Sequence, residues 1–290
     1  MKKQSFIYII AAGLLWGTSG IFVPYLSPYG FTSLQMSAVR GAVSFLCLAV
    51  FALIRDRSLF RARPAELIFF AGIGATMFLT ASCYYSSMQM TSVSTAVVLM
   101  YTAPVYVAVF SAMFLGEKFS AVKIVSVVFM LVGCCLVSGI IGGLKFDPLG
   151  IIIGILSGIS YAAYNILTKI AIERGSSPVS ATIYSFLVMF VIALCVSNPG
   201  EIVTGAAKAP EVTVPLLIGM GICTCVLPYF LYTLAMKGLP AGTASALGIV
   251  EPMAATVYSI LIFGEELSIF PSVGIVLILI AVFILGRSDG

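Results

Sequence analysis

Residues 84–120 read YYSSMQMTSVSTAVVLMYTAPVYVAVFSAMFLGEKFS, and residues 232–268 read YTLAMKGLPAGTASALGIVEPMAATVYSILIFGEELS. Laid over each other at a constant offset of 148, without a gap, they agree at 11 of 37 positions. Tyr84 falls on Tyr232, Met88 on Met236, Thr95-Ala96 on Thr243-Ala244 and Leu99 on Leu247. Pro104 then falls on Pro252, Val109 on Val257, Ser111 on Ser259, Gly116-Glu117 on Gly264-Glu265 and Ser120 on Ser268. Apolar segments coincide by chance more often than soluble ones, so the weight rests on the paired proline and the paired Gly-Glu. A weaker match at an offset of 145 sets Gly13 on Gly158, Trp16 on Tyr161 and Ile21 on Ile166. The chain reads as two copies of one unit.

The rest of the sequence says where that unit lives. Of 290 residues, 61% are hydrophobic and 9% charged, with a mean hydropathy of +1.15. A soluble domain carries about 45–50% apolar and about 25% charged residues, so this chain belongs in a lipid bilayer. Ten apolar runs approach the roughly 20 residues that a crossing helix needs, near 5–24, 32–54, 67–89, 93–115, 122–141, 149–170, 178–197, 215–236, 241–263 and 270–286. They are long and do not alternate, which predicts helices and not barrel strands. Lys2 and Lys3 precede the first run as in a signal peptide, but nine runs follow, and we read it as an uncleaved first helix. The expected fold is an all-α integral membrane protein: ten transmembrane helices in two five-helix repeats, residues 1–141 and 149–290, around a central cavity. An odd number of spans per repeat makes the repeats inverted, an architecture recurrent in secondary transporters with the site between the halves.

Orientation follows from the basic residues. With both termini cytoplasmic, the inner face holds Lys2, Lys3, Arg55, Arg57, Arg61, Arg63, Lys118, Lys123, Lys169, Arg174, Lys237 and Arg287, and the outer face only Lys145 and Lys208. A multi-pass protein of the cell membrane is expected, working as a monomer or a homodimer. The 15 Lys and Arg never form a long basic run, which argues against nucleic acid. With no histidine, Ser-His-Asp and Cys-His catalysis and His-ligated metals are excluded. The seven cysteines lie in apolar runs without a C-x-x-C pair and read as small hydrophobes. No nucleotide-binding loop is present. We expect no enzyme activity, no cofactor and no metal.

The motifs GLLWGTSGIF (13–22), Pro104 followed after eleven residues by Gly116-Glu117, and Glu251-Pro252 followed after eleven by Gly264-Glu265 occur in this order over nearly the whole chain. In this it resembles the EamA branch of the drug/metabolite transporter superfamily. The resemblance implies a ten-helix metabolite exporter or permease with a central cavity, and names no solute. One feature departs from the four-helix relatives that export cationic drugs: their first helix carries an essential glutamate, and this first helix has none, so their coupling does not transfer.

At about 1.5 Å of rise per residue, Trp16, Arg40, Tyr101, Pro104, Tyr161, Glu251 and Pro252 all fall within about 5 Å of the bilayer midplane. Tyr164 and Asn165 lie somewhat toward the cytoplasm. A charge at that depth costs roughly 2.5–3.5 kcal/mol even on lenient scales, so Arg40 and Glu251 must face protein or water. One reading is a structural ion pair locking the second and ninth spans. The other places them in the transport cavity, with Arg40 attracting a carboxylate or Glu251 accepting a proton. Trp16 with Tyr101, Tyr161 and Tyr164 would supply flat apolar walls with polar tips, and Asn165 a polar group, for a small amphipathic solute such as an amino acid; helix packing is the plainer role for the aromatics. Pro104 and Pro252 cannot donate to the carbonyls of Met100 and Gly248, which makes each a kink or a hinge. Gly13 and Gly17, and Gly150, Gly154 and Gly158, have the small-residue spacing of internal helix seams. Gly116 and Gly264 suit helix C-caps. Proton-coupled export and a uniporter running on the solute gradient both fit these residues.

Overall fold

The computed structural model describes residues 2–91, 93–116, 120–137, 147–264 and 269–289. Glu117 and Glu265 of the Gly-Glu pairs, and the basic residues Lys118 and Lys145, lie outside the described residues. The helices are α1 (Lys2–Gly17), α2 (Ser19–Leu26), α3 (Ser33–Arg55), α4 (Pro64–Met90), α5 (Val93–Met100), α6 (Ala103–Phe114), α7 (Ala121–Val137) and α8 (Pro148–Glu173). The second half continues with α9 (Pro178–Val196), α10 (Pro199–Ala206), α11 (Pro210–Gly221), α12 (Leu227–Ala235), α13 (Ala241–Leu247), α14 (Val250–Phe263) and α15 (Ile269–Asp289). Among the described residues, 8 helical stretches are long and apolar enough to cross a bilayer, with α1–α2, α5–α6, α11–α12 and α13–α14 each counting as one. The expected fifth and tenth spans are shorter apolar helices, Ala121–Val137 and Ile269–Leu285.

Starts and stops follow side-chain chemistry. Thr32 and Gln35 form a reciprocal cap at the head of α3, with Thr32 N–H donating to Gln35 Oε1 at 2.9 Å. Asp147 accepts from Gly150 N–H at 2.8 Å to open α8, which begins on Pro148. The eighth span begins at Pro210 and not, as expected, at 215. Proline suits a first helical turn because its missing N–H would be unsatisfied there anyway, and Pro215 is carried inside α11. The connection between the seventh and eighth expected spans, 198–214, contains α10, capped by Asn198. Gly116 and Gly264 end their helices with φ of +65° and +68°, which glycine alone adopts without strain.

The surface is inverted relative to a soluble protein. Ile54, Ile68, Leu261 and Ile269 are more than 70% exposed, while Ser37, Ser44, Ser87, Ser111 and Ser126 are buried. Lipid is the solvent that makes this arrangement favourable.

Packing repeats between the halves. α4 lies on α8, and its counterpart α12 lies on α1; α5 and α6 lie on α8, and α14 lies on α1. α4 also meets α9, as α11 meets α3. Two contacts pair an element with its own counterpart, α3 with α9 and α7 with α15. The contact pattern therefore maps onto itself when the halves are exchanged. Glycine makes these crossings close. A Cβ on Gly17 would stand 2.7 Å from that of Ala254, one on Gly150 2.7 Å from Thr91 Cγ2, and one on Gly158 2.9 Å from the Leu99 carbonyl oxygen. Both glycine runs are thus internal seams, as expected. A third seam was not anticipated: a Cβ on Gly133 would come 2.8 Å from Gly274 O, and one on Gly274 would come 2.6 Å from Gly133 O.

The halves are also tied at both ends. At one end, which we call the Arg63 end, Ser176 Oγ donates to Glu66 Oε1 at 2.9 Å, Ser180 Oγ to Leu59 O at 2.8 Å and Tyr184 OH to Phe60 O at 2.7 Å. At the opposite end Gln35 Nε2 donates to Glu201 Oε2 and Lys208 Nζ to Tyr29 O, both at 2.8 Å.

Gly133→Leu should force α7 and α15 apart and cost about 1–3 kcal/mol, the usual price of overpacking. The measurement is thermal unfolding of the detergent-purified protein; an unchanged transition would mean that the crossing has slack the structure does not show.

Candidate functional site

Four crossing elements are interrupted near their centres, and the interruptions face one another across the two halves. α1 gives way to α2 at Thr18, whose Oγ1 turns back to Leu15 O at 2.6 Å. α5 stops at Met100 and α6 starts at Ala103; α13 stops at Leu247 and α14 starts at Val250. Pro104 and Pro252 therefore sit in the first turn after a break, and both breaks precede them by one turn. The carbonyl of Gly248, expected to be released, instead accepts from Glu251 N–H at 3.0 Å. The fourth interruption is a single wide π turn over Ile222–Val226, between α11 and α12. Pro228 explains it: it cannot donate to the carbonyl of Thr224, four residues back.

Arg40 occupies that gap. Its Nε donates to Cys225 Sγ at 3.1 Å, Nη1 to Tyr85 OH at 3.3 Å and Nη2 to the Thr224 carbonyl at 3.5 Å. Glu251 is held from the other side by Tyr101 OH, 2.6 Å from Oε2. The ion pair that one of the two readings offered is not formed. Among the described residues the ion pairs are Arg63–Glu66 at 3.3 Å and Lys169–Glu173 at 3.4 Å, and neither involves Arg40 or Glu251. Each of these two charges has found neutral partners instead, because the proline-released carbonyl and the tyrosine hydroxyls lie nearer.

The aromatic residues gather between them. Trp16 stands edge-on to Tyr229 at 5.1 Å between centroids and tilts against Tyr232 at 5.2 Å. Tyr161 stacks on Tyr164 at 5.8 Å, and Tyr164 meets Tyr229 at 5.7 Å and Tyr232 at 6.2 Å. Asn165 is fully buried: its Oδ1 accepts from Tyr232 OH and its Nδ2 donates to Tyr161 O at 2.7 Å. Trp16 Nε1 is buried with no protein partner, a donor that costs free energy until something accepts from it. Trp16, Tyr101, Tyr161 and Tyr164 belong to one continuous buried cluster with Tyr232. Trp16, Tyr101, Tyr161 and Tyr164 are buried, whereas Arg40, Tyr85, Tyr229 and Glu251 keep part of their surface exposed, so the centre is only partly covered. A cavity of about 10 Å³ remains beside it, lined by the hydroxyl-bearing side chains of Tyr164, Thr168, Thr182, Ser185, Tyr229 and Thr233 with a few apolar neighbours, room for about one water molecule.

Trp16, Tyr161, Tyr164 and Asn165 thus form one network, Tyr101 and Glu251 a second contact, and Arg40 a third. Sequence reading missed Tyr85, Thr224, Cys225, Tyr229 and Tyr232. Two signals for them were present: Tyr232 is the repeat mate of Tyr84, and the argument applied to Pro104 and Pro252 applies equally to Pro228. Among the described residues no group of His, Cys, Asp or Glu is arranged to hold a metal.

Comparison with known proteins agrees with this architecture. The model of the EamA-like transporter family matches residues 4–139 and again residues 148–287. An uncharacterized transporter of Archaeoglobus fulgidus is 30% identical over 279 residues, covering 96% of this chain and 95% of its own. One of Clostridium kluyveri is 27% identical over 289 residues, covering 96% and 91%. The uncharacterized transporter YwfM of Bacillus subtilis is 25% identical, covering 97% and 93%. A crystal structure superposes with a TM-score of 0.78 over 99% of both chains at 16% identity, a likeness of fold. The chain belongs to the EamA-like transporter family.

Tyr101→Phe removes the hydroxyl that holds Glu251 and should cost about 1.5–3 kcal/mol, as for hydrogen bonds to charged groups. Unfolding of the purified variant checks it; a loss below about 0.5 kcal/mol would mean that water serves Glu251 as well as Tyr101 does.

Proposed function

We propose that this EamA-family protein is a secondary transporter that exports a small amphipathic metabolite, an amino acid or related solute, by alternating access across the cell membrane. Both termini face the cytoplasm in this reading, so the Arg63 end is the inner one. The observation that carries the proposal is the centre between the halves, where Arg40 and Glu251, both partly buried, each rest on neutral partners and not on each other. Opposite charges left in that state can be recruited. A carboxylate displaces Cys225 or Tyr85 from Arg40 and gains a charged, forked donor in exchange for weak neutral acceptors. Glu251 trades its Tyr101 contact for a proton. Trp16, Tyr161 and Tyr232 offer flat faces to the solute's apolar part, and Trp16 Nε1 offers a hydrogen bond it otherwise lacks.

The breaks before Pro104 and Pro252 supply the motion. Backbone at a break has fewer hydrogen bonds to lose on bending, and the two breaks are related by the repeat. Opening one end while the other stays tied is then the same movement performed by either half.

The test is flux in proteoliposomes over a panel of amino acids and other amphipathic metabolites. A solute should cross, and its accumulation should follow an imposed pH gradient. Glu251→Gln should keep solute exchange and lose the pH-driven accumulation; Arg40→Met should weaken anionic and zwitterionic solutes at least tenfold more than neutral ones. If Glu251→Gln leaves the pH-driven accumulation intact, proton coupling is not carried there, and a uniporter is the better reading. A reporter fused at Lys208 that reports the cytoplasm would reverse the orientation.

A further inference from the structure

Two cavities lie in series along α8 on the Arg63 side of the aromatic cluster. The first is the hydroxyl-lined space of about 10 Å³, which touches Tyr164 and Thr168. The second, about 470 Å³, lies at the surface and is lined by Lys169, Glu173, Ser176, Ser177, Met236 and Lys237, among others. Tyr161, Tyr164, Thr168 and Ile172 succeed one another down one face of α8, at the spacing of successive turns. Lys169, next to Thr168 of the first cavity, lines the second.

Lys169 is only 8% exposed. Its Nζ donates to Met236 O and to Leu239 O, both at 2.9 Å, and stands 3.4 Å from Glu173 Oε1. An ammonium has three N–H groups; two are given to the carbonyls, and Glu173 stands at ion-pair distance. The two carbonyls belong to the turn joining α12 to α13, so the side chain straps α8 to that turn at the wall of the outer cavity, on the side where Thr168 and Thr233 line the inner one. Capping the end of α12 would explain a lysine in its own last turn. Lys237 lies just past that turn and is exposed, and the group used is a buried charge from another helix. Burying it is costly, which a surface cap would not require. The repeat sharpens the point: at the 145 offset the position matching Lys169 is Pro24, so the first half has no cation there. At the opposite end a lysine does reach a carbonyl, Lys208 to Tyr29 O, but there it is exposed and not buried. Glu173 gives the ammonium somewhere to go, because its side chain is half exposed at the mouth of the outer cavity.

We infer that Lys169 is the bolt of the gate between the central site and the cytoplasm: the inner route opens when its ammonium leaves the Met236 and Leu239 carbonyls for Glu173. The inference rests on the transport reading and on its orientation.

Accessibility tests it separately from flux. Thr233→Cys places a thiol in the hydroxyl-lined cavity. In inside-out vesicles it is treated with a small membrane-impermeant thiol reagent, and modification is read from the mass of the peptide containing residue 233, which sets the native cysteines aside. With Lys169 intact, modification should be slow. Lys169→Met should speed it at least tenfold, and Lys169→Arg, which can still reach both carbonyls, should restore the slow rate. Lys237→Met, which changes the charge of the same vestibule without touching the strap, should leave the rate unchanged. Equal rates for Lys169→Met and the parent would overturn the inference, and so would an equal acceleration by Lys237→Met. If Lys169→Met does not fold, Glu173→Gln at the exposed position gives the second test: with nowhere to move, the bolt should stay shut and modification should fall severalfold, while an unchanged rate overturns the inference. Modification that follows residue 169 in vesicles where no solute of the panel moves would keep the gate and remove the transport reading. Flux with modification indifferent to residue 169 would do the reverse.

Discussion

A bilayer core offers no hydrogen-bond partner, so every polar group inside it must be satisfied by the protein or by water that the protein admits. This one constraint accounts for most of what is unusual here. Buried Ser111 and Ser157 turn back on their own helices, and Ser87 and Ser185 donate to the backbone of a neighbouring one. Pro228 strands a carbonyl, and Arg40 reaches from α3 to meet it. Glu251 takes the Tyr101 hydroxyl that a helix break brings within reach. The interruptions in four crossing elements are admissible because they face one another and not lipid. The same constraint makes Trp16 Nε1 conspicuous, since it is the kind of group that membrane interiors rarely leave alone.

The halves are fastened at both ends. Each end is tied by hydrogen bonds between opposite halves, and both sets are made at once. A conformation tied at both ends lies between two open ones, and its depth sets how much a solute must contribute before either end yields. Hydrogen bonds of this sort contribute about 0.5–1.5 kcal/mol each. A few of them per end is a barrier that a single well-placed solute can overcome.

The architecture was legible in the sequence because it rests on long-range regularities. Runs of apolar residues, the offset of 148 and the glycine spacings survive without any knowledge of contacts. The site was legible by depth and not by partner. Depth arithmetic put Arg40 and Glu251 at one level, and the ion-pair reading, one of two left open, assumed that opposite charges at one level meet. They do not, because Thr224 and Cys225 are brought to Arg40 by a π turn that no periodicity announces. Lys169 was counted among inner-face charges, since its position near a helix end gives no hint that it points back into the protein. Pro210 and α10 were missed for a local reason: proline and glycine mark a turn in sequence whether or not a short helix starts on them.

Two contacts join an element to its own counterpart, α3 with α9 and α7 with α15, and the second is held by Gly133 against Gly274. The pseudo-two-fold axis must pass through both. When the molecule exchanges one open form for its mirror-related opposite, points on that axis have nowhere to travel, while displacement grows with distance from it. The glycine crossing is then a fulcrum. Spectroscopic labels placed beside it would stay almost silent through a full cycle, and the same labels on the loops at either end would move the most.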